Sequence, residues 1–65
     1  MNEGQFYRRR KKLRTLSGAD RMEAELMLLH DVVVEIAYNE DLSPLQAVKL
    51  ARLAANLEQE ELFND

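Results

Sequence analysis

Between Gly18 and Tyr38, apolar residues return at alternating steps of four and three: Met22, Leu26, Leu29, Val33 and Ile36, with Ala19 and Ala37 alongside. That spacing predicts an amphipathic α-helix, and its stripe, which resembles the seam of a helix pair, is expected to be a core face. Taken alone, Val32-Val33-Val34 would favour a strand, but Glu23 to Leu29 is a strong helix-forming stretch and the helical period runs on through the valines. At 100° per residue, Leu28 and Val32 widen the apolar arc, while Met27 and Val34 fall on the opposite side among His30 and Asp31. One neighbouring helix cannot cover so wide an arc. Met22, Leu26, Met27, Leu28, Leu29, Val33, Val34 and Ile36 are therefore the expected interface to a second copy of the chain or, less simply, to a foreign protein.

A second helix is predicted from Pro44 to about Leu62. Ser43-Pro44-Leu45-Gln46 supplies a capping hydroxyl, proline at the first helical position and glutamine at the third, with Leu42 as a staple candidate against Ala47. Lys49, Arg52, Asn56, Gln59 and Glu60 mark its polar face. Leu50, Leu53 and Leu57 form a bulky ridge, and Ala47, Val48, Ala51, Ala54 and Ala55 a smooth strip that another helix could approach closely. The acidic end, Glu58 to Asp65, opposes the helix dipole and is expected to fray unless Leu62 and Phe63 dock. Asn39-Glu40-Asp41 lacks apolar periodicity and reads as the joint of a helical hairpin. Ser17-Gly18-Ala19-Asp20 suggests a capping box for the first long helix.

Residues 5 to 16 are less decided by pattern. Phe6, Leu13 and Leu16 would share one face of a short helix, with the stem of Arg10 between them, whereas five successive cations repel one another and favour an unfolded arm. The helix is preferred because it shelters Phe6 and Leu13. The expected architecture is thus all-α and a single domain: a basic N-terminal helix or arm over residues 1–16, then an antiparallel helical hairpin over 17–65 (helices near 18–38 and 44–62), assembled as an oligomeric helical bundle.

Charge changes the picture most in that N-terminal part. Six of the nine Lys and Arg residues lie between Arg8 and Arg14, against a single acid, Glu3; the remainder holds three basic and eleven acidic residues. A segment of net charge +5 therefore precedes a body of −8. Phe6, Tyr7, Arg8, Arg9, Arg10, Lys11, Lys12 and Arg14 are the candidate partner-binding residues. Arginine forks hold phosphate oxygens and the two rings could stack on unpaired bases, so nucleic acid is one possible target. The acidic body would oppose a polyanion at close range, which favours a protein target or contact with the body itself.

With 65 residues and no cysteine, the chain can bury only a small core and has no disulfide to reinforce it. Association with itself or with a partner is the expected extra source of stability. His30 is the sole histidine, so neither a structural zinc site nor a nucleophile-base-orienter set can be assembled within one chain. Asp31 and Glu35 stand one turn apart, but the position three residues before His30 that a di-metal helix would fill with Glu is Met27. No enzyme activity, metal or cofactor is expected. No apolar run is long enough for a membrane span, and the basic start has no apolar stretch behind it as a secretory signal would, so a cytoplasmic protein with no membrane partner is expected.

What remains is a small non-catalytic regulatory or inhibitory protein that binds a larger protein or assembly. Size and shape alone give an analogy with the small regulators of phages, plasmids and other mobile elements. The alternatives are a nucleic-acid-binding regulator using residues 6–14 and a structural subunit of a larger particle.

Overall fold

The computed structural model describes the backbone of residues 1–63 and the side chains of residues 1–57. Asn2 opens the chain's first helix, α1 (Glu3–Leu13), through a capping box: the Gln5 amide donates to Asn2 Oδ1 and the Asn2 amide to Gln5 Oε1, both at 2.9 Å. Glu3 in the first turn and Arg10, Lys11 and Lys12 in the last complement the helix dipole, which offsets part of the repulsion among the cations. The basic segment is thus a helix. The chain leaves it through a tightened turn in which the Thr15 and Leu16 amides donate to the Lys12 and Leu13 carbonyls.

Helix α2 spans Gly18–Tyr38 and α3 spans Pro44–Phe63. The expected Ser17 cap does not form; Ser17 makes no side-chain capping bond. Gly18 takes a left-handed φ of +59°, and this glycine-permitted turn, rather than a hydroxyl, brings the chain into the helix. At the other end the Asn39 side-chain amide donates to Glu35 Oε1 at 2.7 Å, and Asn39 Oδ1 accepts from the Asp41 amide at 3.0 Å, which shapes the joint. The Ser43 box is present as expected: the Gln46 amide donates to Ser43 Oγ at 3.2 Å, and the Ser43 amide to Gln46 Oε1 at 3.3 Å. The docking expected of Leu62 and Phe63 lies outside the described side chains.

Helix α2 is central, packing against both α1 and α3. Phe6 and Leu13 from α1, Leu28 and Val32 from α2, and Leu50 and Leu57 from α3 form one buried cluster. Ala24, Leu29, Leu42, Leu53 and Ala54 lie partly buried around it. Residues 1–16 therefore share the core of the rest of the chain, although Leu16 stays exposed.

The face of α2 that enters this core is not the seam-like stripe. Met22, Leu26 and Val33 are 64, 60 and 63 % exposed, and Ile36 is exposed as well, whereas Leu28 and Val32 are fully buried. Leu28 thus belongs to the core and not to an outer interface. The reason is packing across the chain: Phe6 and Leu13 of α1 and Leu50 and Leu57 of α3 close over Leu28 and Val32, while Asp31 and Glu35, beside them on the wheel, meet Arg9 and the Met1 amino group at the edge of that contact. Met27 and Val34 stand exposed.

Candidate functional site

Helix α1 is attached from behind and presents its cations outward. Phe6 and Leu13, seven residues apart and so on one face, anchor it in the core. Beside them Arg9 Nη1 donates to Asp31 Oδ2 at 2.7 Å, and the Met1 amino group donates to Glu35 Oε1. Lys49 of α3 lies 3.8 Å from Glu3. The Arg9 fork holds the Asp31 carboxyl below its ordinary value, with a smaller contribution from His30 Nδ1 at 3.4 Å. The amino group of Met1, then the Asn39 amide, does the same for Glu35.

These contacts divide the eight candidate residues. Phe6 is fully buried and cannot stack on a base; its ring instead meets Tyr7 edge-on, with centroids 6.2 Å apart. Tyr7 is 49 % exposed and keeps a free face. Arg9 and Arg10 are half-buried along the rim of the core. Arg8, Lys11 and Lys12 are exposed on the outer side of the helix and Arg14 is exposed at its C-cap; Arg8 Nε donates to the Gly4 carbonyl at 3.4 Å. A shallow groove lined by Met1, Gln5, Arg8, Arg9 and Lys12 runs along one edge. What the arrangement offers chemically is a pre-ordered row of positive charge whose backbone order is already provided by folding.

The interface residues expected on α2 form the second candidate surface. Met22, Leu26 and Met27 line a shallow, mostly apolar groove with Ala19, Glu23 and His30. Val33 and Ile36 continue the exposed ridge toward the joint, and Leu29 lies half-buried at its inner edge.

Asp31 and Glu35, weighed from the sequence only as possible metal ligands, instead receive α1 through Arg9 and the Met1 amino group. The available signal was their one-turn spacing on the flank next to Leu28 and Val32. Sequence reasoning also missed the Asn2 cap, which the spacing Asn2-Glu3-Gly4-Gln5 before Phe6 would have revealed. Among the described residues, no three His, Cys, Asp or Glu side chains stand close enough to share a metal ion. Nor is any described helix long and apolar enough to cross a membrane. Comparison with protein families, curated proteins and solved structures finds no match to this chain.

Proposed function

We propose that this is a non-catalytic regulatory protein that acts by binding a larger protein through the outward face of α1. The observation that carries the reading is the separation of roles on that helix: Phe6, Leu13 and Arg9 hold it in place, while Arg8, Lys11, Lys12 and Arg14 face solvent. A rigid basic helix pays little ordering entropy on binding, so its complement is an acidic surface on a folded partner. The α2–α3 pair supports the basic helix as an antiparallel hairpin, the arrangement that a five-residue joint between two mutually packed helices favours. The partner lies in the same cytoplasmic compartment, and no catalytic step is involved.

A second reading, binding of nucleic acid, draws support from the same four cations and from exposed Tyr7. The loss of Phe6 to the core and the −8 carried by residues 15–65 weigh against it.

The clean test replaces Arg8, Lys11 and Lys12 with Gln, because Arg9 has a structural partner that must be left in place. Folding and melting temperature are expected to stay unchanged. An acidic protein retained from a host lysate by the intact chain should be lost by the variant, and neither form should bind duplex or single-stranded DNA at about 150 mM salt, where screening reaches only about 8 Å. Sub-micromolar, salt-sensitive binding of DNA or RNA by the intact chain, lost in the variant, would establish the second reading instead.

A further inference from the structure

We infer that the side of the α2–α3 hairpin left uncovered by α1 is occupied by a second copy of the same chain, packed face to face. The inference does not depend on what α1 binds. Its first ground is position. At 100° per residue, the ridge Met22-Leu26-Leu29-Val33 lies roughly 100° round α2 from the buried Leu28 and Val32, and Val48, Ala51 and Ala55 lie roughly 140° round α3 from Leu50 and Leu57, in the same rotational sense. In an antiparallel pair that shared sense brings both strips to one side of the hairpin. Asp31 and Glu35, which hold α1, lie on the other flank of α2.

The second ground is shape. The strip on α2 consists of large side chains, and the strip on α3 is smoother, with Ala51 and Ala55 beside a single Val48. A two-fold axis parallel to the helices sets each α2 against the partner's α3, so both large ridges seat on the smoother strips, and the interface closes without leaving a free end. No arrangement with an unrelated protein is implied by the chain itself; self-complementarity is.

The third ground is area. Met22, Leu26, Val33, Ile36 and Val48 are 38 to 64 % exposed, and covering them removes on the order of 500 Å² per copy, the small end of specific interfaces, where about 1,000 Å² in total is the lower mark. One chain buries only six apolar side chains completely or nearly so among the described residues, with no disulfide to add to them. A chain of this size characteristically draws the missing stability from association.

Sedimentation of the intact protein from about 1 to 200 μM tests this. The expected result is a mass rising with concentration to twice the 7.6 kDa of one chain. Leu26→Glu and Val33→Glu, at side chains exposed in the single chain, should each hold the mass at 7.6 kDa with helix content retained by circular dichroism. Tyr38→Glu, at a side chain 79 % exposed and about 150° round α2 from the middle of the ridge, should leave the dimer intact. A chain carrying Val33→Cys, mixed and oxidised with one carrying Val48→Cys, should give the mixed disulfide in preference to either like pair. An intact protein that stays at 7.6 kDa throughout the range would overturn the inference, as would a dimer unaffected by Leu26→Glu and Val33→Glu. If Tyr38→Glu alone dissociated it, the face would be wrong and the inference would fall.

Discussion

Arg9 and Asp31 meet across the α1–α2 boundary at 2.7 Å, and this contact lies between the outward cations of one helix and the core of the next. Both side chains remain more than a third exposed, so solvent screens the pair. It fastens the edge of the α1–α2 contact, whereas the inward face of α2 is chosen by Leu28 and Val32, which are fully buried. Asp31→Asn is expected to cost about 0.5 kcal/mol in chemical denaturation, near the middle of the range for exposed pairs. A cost several times larger would mean that the carboxylate supports more than this contact.

The same groups set an acid dependence. Asp31 and Glu35 both have pKa values lowered below their ordinary 3.8 and 4.5. A carboxyl whose pKa is lower when folded binds fewer protons in the folded state, so its contribution is complete above the unfolded value and disappears as pH falls through the folded one. Melting temperature should therefore be insensitive to these groups near pH 7 and decline below about pH 4. In the double variant Asp31→Asn, Glu35→Gln the decline should be shallower; an identical acid limb would show that other carboxylates dominate.

Leu28 and Leu26 are neighbours in sequence with opposite expectations. Leu28→Ala removes a fully buried side chain and should cost about 2–5 kcal/mol. Leu26→Ala, at a side chain 60 % exposed, should cost under about 1 kcal/mol when measured in dilute solution, where association is negligible. Phe6→Ala should cost about 3–5 kcal/mol and release α1 from the rest of the core, visible as rapid hydrogen exchange over residues 3–13. The reverse order at Leu26 and Leu28 would place the seam-like stripe in the core.

Two serines precede the two long helices, yet only one is a cap. Ser43→Ala removes the acceptor for the Gln46 amide and should cost about 1 kcal/mol, while Ser17→Ala should be nearly neutral. Thermal melts of the two variants side by side separate these outcomes, and equal losses would contradict the structure.

Gly18 carries the turn that Ser17 does not. Beyond the adjoining residues and the helix's own backbone, nothing described lies within 4 Å of where a Cβ would stand, so the cost of Gly18→Ala comes from the local backbone. At φ +59° that cost should be about 1 kcal/mol. Gly4→Ala, inside α1 with only the Asn2 side chain nearby at 3.4 Å, should instead be neutral or stabilising.

The span of α2, the start of α3 and the Ser43 cap were all legible in the sequence, because each depends on residues within one or two turns of one another. Periodicity, proline at the first position and a capping spacing act locally, and they act the same way whatever surrounds them. The choice of the buried face was not local. Helix α2 carries two apolar arcs of comparable strength, one through Leu26 and Val33 and one through Leu28 and Val32. Contacts across long sequence separations, Phe6 and Leu13 of α1 and Leu50 and Leu57 of α3 against Leu28 and Val32, turn the second arc inward, with Arg9 to Asp31 and Met1 to Glu35 at its edge. The same contacts divided the basic segment into anchoring and outward residues. The sequence by itself determined that a dense run of cations would sit on a helix or arm; tertiary structure decided that Phe6 is core, that Arg9 is an anchor, and that Arg8, Lys11, Lys12 and Arg14 face outward, because a side chain's exposure is set by what packs against it rather than by its neighbours in the chain.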